Sequence, residues 1–156
     1  MTPSRNKITT QIQSPMNPKY FSLAELIRSA TAERLHIDNT PTFEVVEHLS
    51  DLSLHLLDPL RAAYGKPITV SSGYRCEQLN KAVGGVPSSA HQRGDAADLQ
   101  AADMPGFKKF VREWLRATSA KFDQCLLESS GKAEWVHLSI RSASGCQRGQ
   151  IKLLNV

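Results

Sequence analysis

The stretch Ser89-Ala90-His91-Gln92-Arg93-Gly94-Asp95-Ala96-Ala97-Asp98 places a histidine and a carboxylate close together among small, unreactive neighbours. Gly94 permits a sharp turn and the alanines leave space, so the segment can present His91 and Asp98 to one ion. A later segment, Glu134-Trp135-Val136-His137, supplies a second histidine. Catalytic zinc takes three protein ligands from His, Asp or Glu and keeps a position for water. His91, Asp98 and His137 therefore predict a zinc site, although another transition metal can occupy the same ligands.

The residues around His137 form a short β-branched and aromatic run that predicts a strand. Strand alternation places Trp135 and His137 on one face, where Trp135 can line a substrate cleft. Glu134 points to the other face unless a turn or bulge precedes the pairing. With such a bulge, Glu134 can act as the general base that takes a proton from the attacking water.

Hydrolysis of a carbonyl also requires a cation near the site. An arginine can stabilise the developing oxyanion or hold a substrate carboxylate through two hydrogen bonds. Arg75 lies on the turn after the predicted strand at 68–71 and is the candidate for this cation.

The composition indicates a single globular domain. The chain has 156 residues, of which 40% are hydrophobic and 22% charged. No apolar run approaches the roughly 20 residues of a membrane span, so membrane insertion is not expected. The net charge of +4 is scattered along the chain without a basic block, so nucleic-acid binding is not expected either.

The first eighteen residues are polar and contain three prolines without an apolar core, which predicts a flexible arm and not a secretory signal. Residues 19–156 then form the catalytic domain, and a monomer is favoured. The three cysteines, Cys76, Cys125 and Cys146, show no paired spacing, so they predict free thiols and not a disulfide framework.

Helical signals dominate the first half of the chain. Ser22-Leu23-Ala24-Glu25 is a capping box that starts a helix, which residues 32–36 can extend. Thr40-Pro41 caps a long helix that Pro59 kinks and Gly65 ends. The remaining predicted elements are a strand at 68–71, a short helix at 76–83, a strand at 96–100, a helix at 105–118, a hairpin of 123–128 with 135–141, and an edge strand at 150–154. This order favours an α+β fold in which helices surround a small antiparallel sheet carrying the metal site.

Two motifs in these segments resemble a known family. Residues 89–98 fit S-x-H-x-x-G-x-A-x-D and residues 134–137 fit E-x-x-H, as in the zinc D-alanyl-D-alanine carboxypeptidases, their dipeptidase relatives and phage murein endopeptidases. Hedgehog signalling domains share the fold. Residues 71–75, 79–80, 84–85 and 20–26 are similar to the small phage and prophage members. The resemblance covers residues 20–140.

The resemblance implies that His91, Asp98 and His137 bind one Zn²⁺ and that Glu134 is the general base. It implies further that Arg75 and Ser89 contact the substrate carbonyl or carboxylate. For Ser89 the alternative is a loop hydroxyl that caps a turn. Asp95 falls on a variable position of the motif and receives no role.

The function expected from this resemblance is hydrolysis of peptidoglycan stem peptides. Both D-alanine removal and internal cleavage, for instance between L-alanine and D-glutamate, stay open. A phage or prophage lysis enzyme, made in the cytoplasm and released to the cell wall or periplasm by another factor, fits the small size. The alternatives are a non-hydrolytic metal-binding recognition module of the same fold and a cytoplasmic D-Ala-D-Ala dipeptidase.

Overall fold

The computed structural model describes residues 18–155, so the predicted arm lies outside the described residues except for its last position. The described helices are α1 (Leu23–Ile27), α2 (Ala30–Leu35), α3 (Phe43–Leu52), a π-helical turn (Ser53–Leu57), α4 (Asp58–Tyr64), α5 (Glu77–Ala82), α6 (Ala90–Arg93) and α7 (Met104–Ala117). The described strands are β1 (Thr69–Ser72), β2 (Ala96–Gln100), β3 (Gln124–Ser130), β4 (Ala133–Ser139) and β5 (Gln150–Asn155).

The first predicted helix is two short helices. The Ser22 hydroxyl accepts a hydrogen bond from the Glu25 N–H at 3.2 Å, as the capping box predicts. The helix ends at Ile27, however, and the Ser29 hydroxyl caps α2 by accepting from the Ala32 N–H at 3.1 Å. The Ser29 cap thus divides into two helices a segment that the apolar pattern predicts as one.

The long helix begins two residues later than predicted. The cap is Thr42, whose hydroxyl accepts from the Val45 N–H at 3.3 Å, whereas the Thr40 hydroxyl donates to Asp38 at 2.6 Å. The Thr40 cap was therefore wrong. Pro59 lies in the first turn of α4, directly after the π-helical turn, because its ring cannot continue the ladder of hydrogen bonds.

The strands form one sheet in the order β1-β2-β4-β3-β5. The β1–β2, β2–β4 and β3–β4 pairs are antiparallel, which confirms the α+β class and the predicted hairpin. β5 occupies an edge as predicted and runs parallel to β3, so the sheet is mostly antiparallel with one parallel pair at its edge. The return of the chain through residues 140–149 determines this direction, which short-range patterns do not show.

The two faces of the sheet differ. Alternate residues such as Leu99, Val136 and Leu138 are fully buried in the core that Phe107 and Val111 of α7 complete. The opposite face, here called the site face, carries Asp98, Glu128, Trp135 and His137. Within residues 18–155, no helix has both the length and the apolar character needed to cross a membrane.

Candidate metal centre and catalytic cleft

Three potential metal ligands converge from three different elements. His91 lies on α6, Asp98 on β2 and His137 on β4, where Asp98 and His137 are direct antiparallel partners. His91 Nε2 lies 3.2 Å from His137 Nδ1 and 3.2 Å from Asp98 Oδ1, and His137 Nδ1 lies 3.0 Å from Asp98 Oδ1. The structure thus brings together all three predicted ligands.

The geometry of this group fits a zinc ion. Tetrahedral ligands at about 2.0–2.2 Å from zinc are themselves roughly 3.3–3.6 Å apart. The three observed separations of 3.0–3.2 Å need only a small expansion to reach that range. Two imidazoles with one carboxylate are also a donor set that catalytic zinc uses, and three ligands leave the fourth position free.

A hydrogen bond on the side of the ring away from the other two ligands fixes the orientation of His91. Its Nδ1 lies 2.7 Å from the Gly73 carbonyl oxygen, and the ring is 2% exposed. Because the carbonyl can only accept, Nδ1 carries a proton, and Nε2 is the ring nitrogen that faces the other ligands. A side chain at Gly73 would overlap the Leu26 carbonyl oxygen. Glycine at this position therefore lets the Gly73 carbonyl oxygen approach the His91 imidazole.

The Asp98 carboxylate is held in its ionised form. Burial alone raises its pKa, but the two neighbouring imidazoles of His91 and His137 outweigh burial and lower the pKa below its ordinary value. An ionised carboxylate is the form that binds a metal.

Glu134 does not reach this group. β4 is regular from Ala133, and Glu134 pairs with Ser129 without the bulge or turn that its catalytic role requires. Its carboxylate therefore lies on the core face, where Oε1 is 3.4 Å from Lys108 Nζ. The expected departure from strand alternation was wrong, and the base assignment to Glu134 does not fit this arrangement.

Glu128, and not Glu134, is the glutamate that lies on the site face beside the metal ligands. It is the antiparallel partner of Trp135 on the site face, two residue pairs along the hairpin from His137 and Leu126. Burial and the nearby Asp98 charge raise the pKa of Glu128, while His137, Trp135 and Arg75 act in the opposite direction. A carboxylate with a raised pKa beside the metal ligands is a candidate general base.

These residues line a cleft of about 880 Å³ that also contains Arg75, Ser89 and Trp135. Burial lowers the pKa of Arg75, and the charges of Asp98 and Glu128 oppose this effect. Its Nε is buried and has no hydrogen-bond partner among residues 18–155. Arg75 is therefore close to the metal group, and its guanidinium can donate to an anionic partner.

Ser89 caps α6, because its hydroxyl accepts from the His91 N–H at 3.2 Å. This is the capping role considered as the alternative, and the side chain also lines the cleft. Trp135 shares the site face with His137 and lines the same cleft. Contacts of Ser89, Trp135 and Arg75 with a substrate remain predictions.

The arrangement supports metal-assisted hydrolysis in chemical terms. It combines a three-ligand metal group, an acid/base carboxylate and a guanidinium within one open cleft. These are the groups needed to activate water, move a proton and stabilise an oxyanion.

A comparison with protein families agrees with this chemistry. Residues 19–139 match the family model described as Peptidase M15, a span that includes all three ligands and Glu128. No curated protein matches the sequence. The family match covers well over half of the chain.

Proposed function

Since the chain belongs to the M15 family of zinc-dependent peptidases, we propose that it hydrolyses peptide bonds in peptidoglycan stem peptides. The observation that carries this proposal is the meeting of His91, Asp98 and His137 within 3.2 Å, with Glu128 beside them on the site face. The family match supports peptide hydrolysis, and the peptidoglycan substrate is our inference from the sequence motifs.

His91, Asp98 and His137 would hold the zinc ion. Bound zinc polarises a carbonyl oxygen and lowers the pKa of water to about 7. Glu128 takes the proton of the attacking water at a carboxylate oxygen and returns it to the leaving amine nitrogen. The same carboxylate serves both steps, because it binds the proton briefly and then releases it.

Arg75 stabilises the carbonyl oxygen as negative charge develops on it. Its guanidinium lines the same cleft as the metal ligands and Glu128, near enough for the charges of Asp98 and Glu128 to act on it. Trp135 forms part of the cleft beside Glu128, where its ring excludes water from one side of the substrate.

We propose that the enzyme acts at the cell wall or in the periplasm as a phage or prophage lysis enzyme, after another factor releases it. Terminal and internal stem-peptide bonds are both compatible with a cleft of this volume.

The test is to incubate the zinc-loaded protein with purified peptidoglycan and identify released fragments by mass spectrometry. We expect products with new amine and carboxyl ends, and their masses identify the scissile bond. The Asp98→Asn variant, which removes a charged ligand but little volume, is the matched control and should release none. A wild type that cleaves only free D-Ala-D-Ala would support a dipeptidase instead. Binding of zinc without any cleavage would support a recognition module.

A further inference from the structure

Asp95 is a buried carboxylate that hydrolysis does not use. It lies on the short connection between α6, which carries His91, and β2, which carries Asp98, and it is 1% exposed. Carboxylates are rarely buried to this extent unless they are paired. Its surroundings therefore indicate what it does.

Two arginines and a histidine surround the Asp95 side chain. Arg93 Nε donates to Asp95 Oδ2 at 3.0 Å, and Arg141 Nη1 lies 3.7 Å from Oδ1. His48 Nδ1 of α3 is 3.0 Å from Oδ1, although this contact lacks hydrogen-bond geometry. Burial raises the pKa of Asp95, and His48, Arg93 and Arg141 oppose that effect.

The same cluster reaches the strand that carries His137. The Ile140 N–H, directly after β4, donates to the Asp95 carbonyl oxygen at 2.9 Å. Arg141 Nη2 donates a hydrogen bond to the Asp51 carboxylate of α3 at 2.9 Å, and Arg93 Nη2 lies 3.4 Å from the Arg141 carbonyl oxygen. The Asp95 N–H donates to the Ala90 carbonyl oxygen at 3.0 Å, which closes the turn after α6.

Each ligand-bearing element is thus connected to Asp95, either through its carboxylate or through its main chain. Arg93 connects it to α6, the main chain connects it to β2, and Ile140 with Arg141 connects it to the end of β4. His48 connects the cluster to α3, which packs behind the turn at Gly94.

We propose that Asp95 is a positioning residue for the metal centre, whose ion cluster holds the elements carrying His91, Asp98 and His137 at the separations that zinc requires. Asp95 touches neither the metal ligands nor the cleft, so it acts only through these elements. The proposal rests on the metal assignment and adds a residue that the E-x-x-H and H-x-x-G-x-A-x-D motifs do not include.

A purely structural role makes a different prediction. Replacing a buried ion cluster often leaves stability unchanged, and removing one partner usually lowers it. Any effect of a purely structural role would therefore appear in the unfolding free energy and not in the zinc affinity of the folded protein. A positioning role requires in addition that the folded protein binds zinc less tightly, because the ligands no longer meet without rearrangement.

The experiment measures the zinc dissociation constant of the full chain by competition with a chromophoric chelator. The Asp95→Asn variant keeps the side-chain volume and removes the charge. Asp123→Asn is the matched control, since Asp123 is also a buried carboxylate paired with an arginine, at 2.7 Å from Arg148, and its side-chain hydrogen bonds within the described residues all go to Arg148, which carries no metal ligand. Circular dichroism and urea unfolding establish that each variant is folded.

We expect Asp95→Asn to weaken zinc binding by roughly 10- to 100-fold, the range found when groups that orient metal ligands are removed. Asp123→Asn should change the affinity less than about threefold, whatever its stability. Equal zinc affinities for Asp95→Asn and the wild type overturn the proposal, as does an equal loss in both variants.

If Asp95→Asn does not fold, the Arg141→Gln variant is measured instead. It is the milder change, because Asp95 stays paired with Arg93 and His48. It should weaken zinc binding at least threefold, and unchanged affinity overturns the proposal. A wild type that binds no zinc would contradict the metal assignment itself, which is a separate outcome. Zinc binding without peptide cleavage would contradict the proposed function and leave the positioning role intact.

Discussion

The two glutamates of the β3–β4 hairpin give the sharpest test of the mechanism, through the isosteric variants Glu128→Gln and Glu134→Gln. Each replaces a carboxylate with an amide on the same hairpin. Glu128 lies on the site face beside the metal ligands, and Glu134 lies on the core face against Lys108. The pair therefore compares the two faces of the sheet while the chemical change stays constant.

The expected magnitudes follow from these positions. Removal of a general base costs about 10²- to 10⁴-fold in rate. At about 1.36 kcal/mol for each factor of ten, this is roughly 2.7–5.4 kcal/mol of activation free energy. Glu134 forms an ion pair at 3.4 Å and is 36% exposed, so its loss should cost at most about 1 kcal/mol of stability. Its effect on the rate should be less than about threefold.

The assay is the initial rate of fragment release from peptidoglycan at saturating zinc, with bound zinc measured for each variant. Equal zinc content ensures that a slow variant lacks the base and not the metal. We expect Glu128→Gln to lose the rate and Glu134→Gln to retain it. The reverse order would refute the assignment of the base by strand alternation, and would require β4 to rearrange when substrate binds.

Three further predictions concern the surrounding fold. Arg148 lowers the pKa of Asp123 below its ordinary value of 3.8, so this pair stabilises the fold above that pH and the contribution disappears as the solution is acidified. The Arg148→Gln variant should therefore have a lower urea midpoint than the wild type near neutral pH, and the two midpoints should converge in acid. Burial raises the pKa of Cys125 to about 12, so in the native protein a thiol reagent should modify the exposed Cys146 first, and modification of Cys125 should require unfolding. Gly94→Ala should lower the unfolding free energy by about 1–3 kcal/mol, since Gly94 has φ +77° and an added Cβ would lie 2.8 Å from a backbone oxygen of α3.

Short-range signals in the sequence predict the elements well. The Ser22 capping hydroxyl, the apolar stripe of α7 and the strand at 96–100 all occur as expected. The one-turn helix that carries His91 was missed, because four residues are too short for a 3.6-residue period to become visible. The direction of β5 was also missed, because its pairing with β3 depends on a long-range return of the chain.

The candidate general base shows how a motif and a physical rule can disagree within the same segment. The E-x-x-H motif joins Glu134 to His137, but an odd spacing places two residues on opposite faces of a regular strand. The hairpin predicted from the sequence ends one strand at Glu128 and begins the next at Trp135, and residues opposite each other in an antiparallel pair share a face. In the structure, this register places Glu128 on the same face of the sheet as Trp135 and His137. The two-residue turn at 131–132, with Gly131 at φ +59°, fixes the register, so the position of the candidate base follows from the turn and not from the motif.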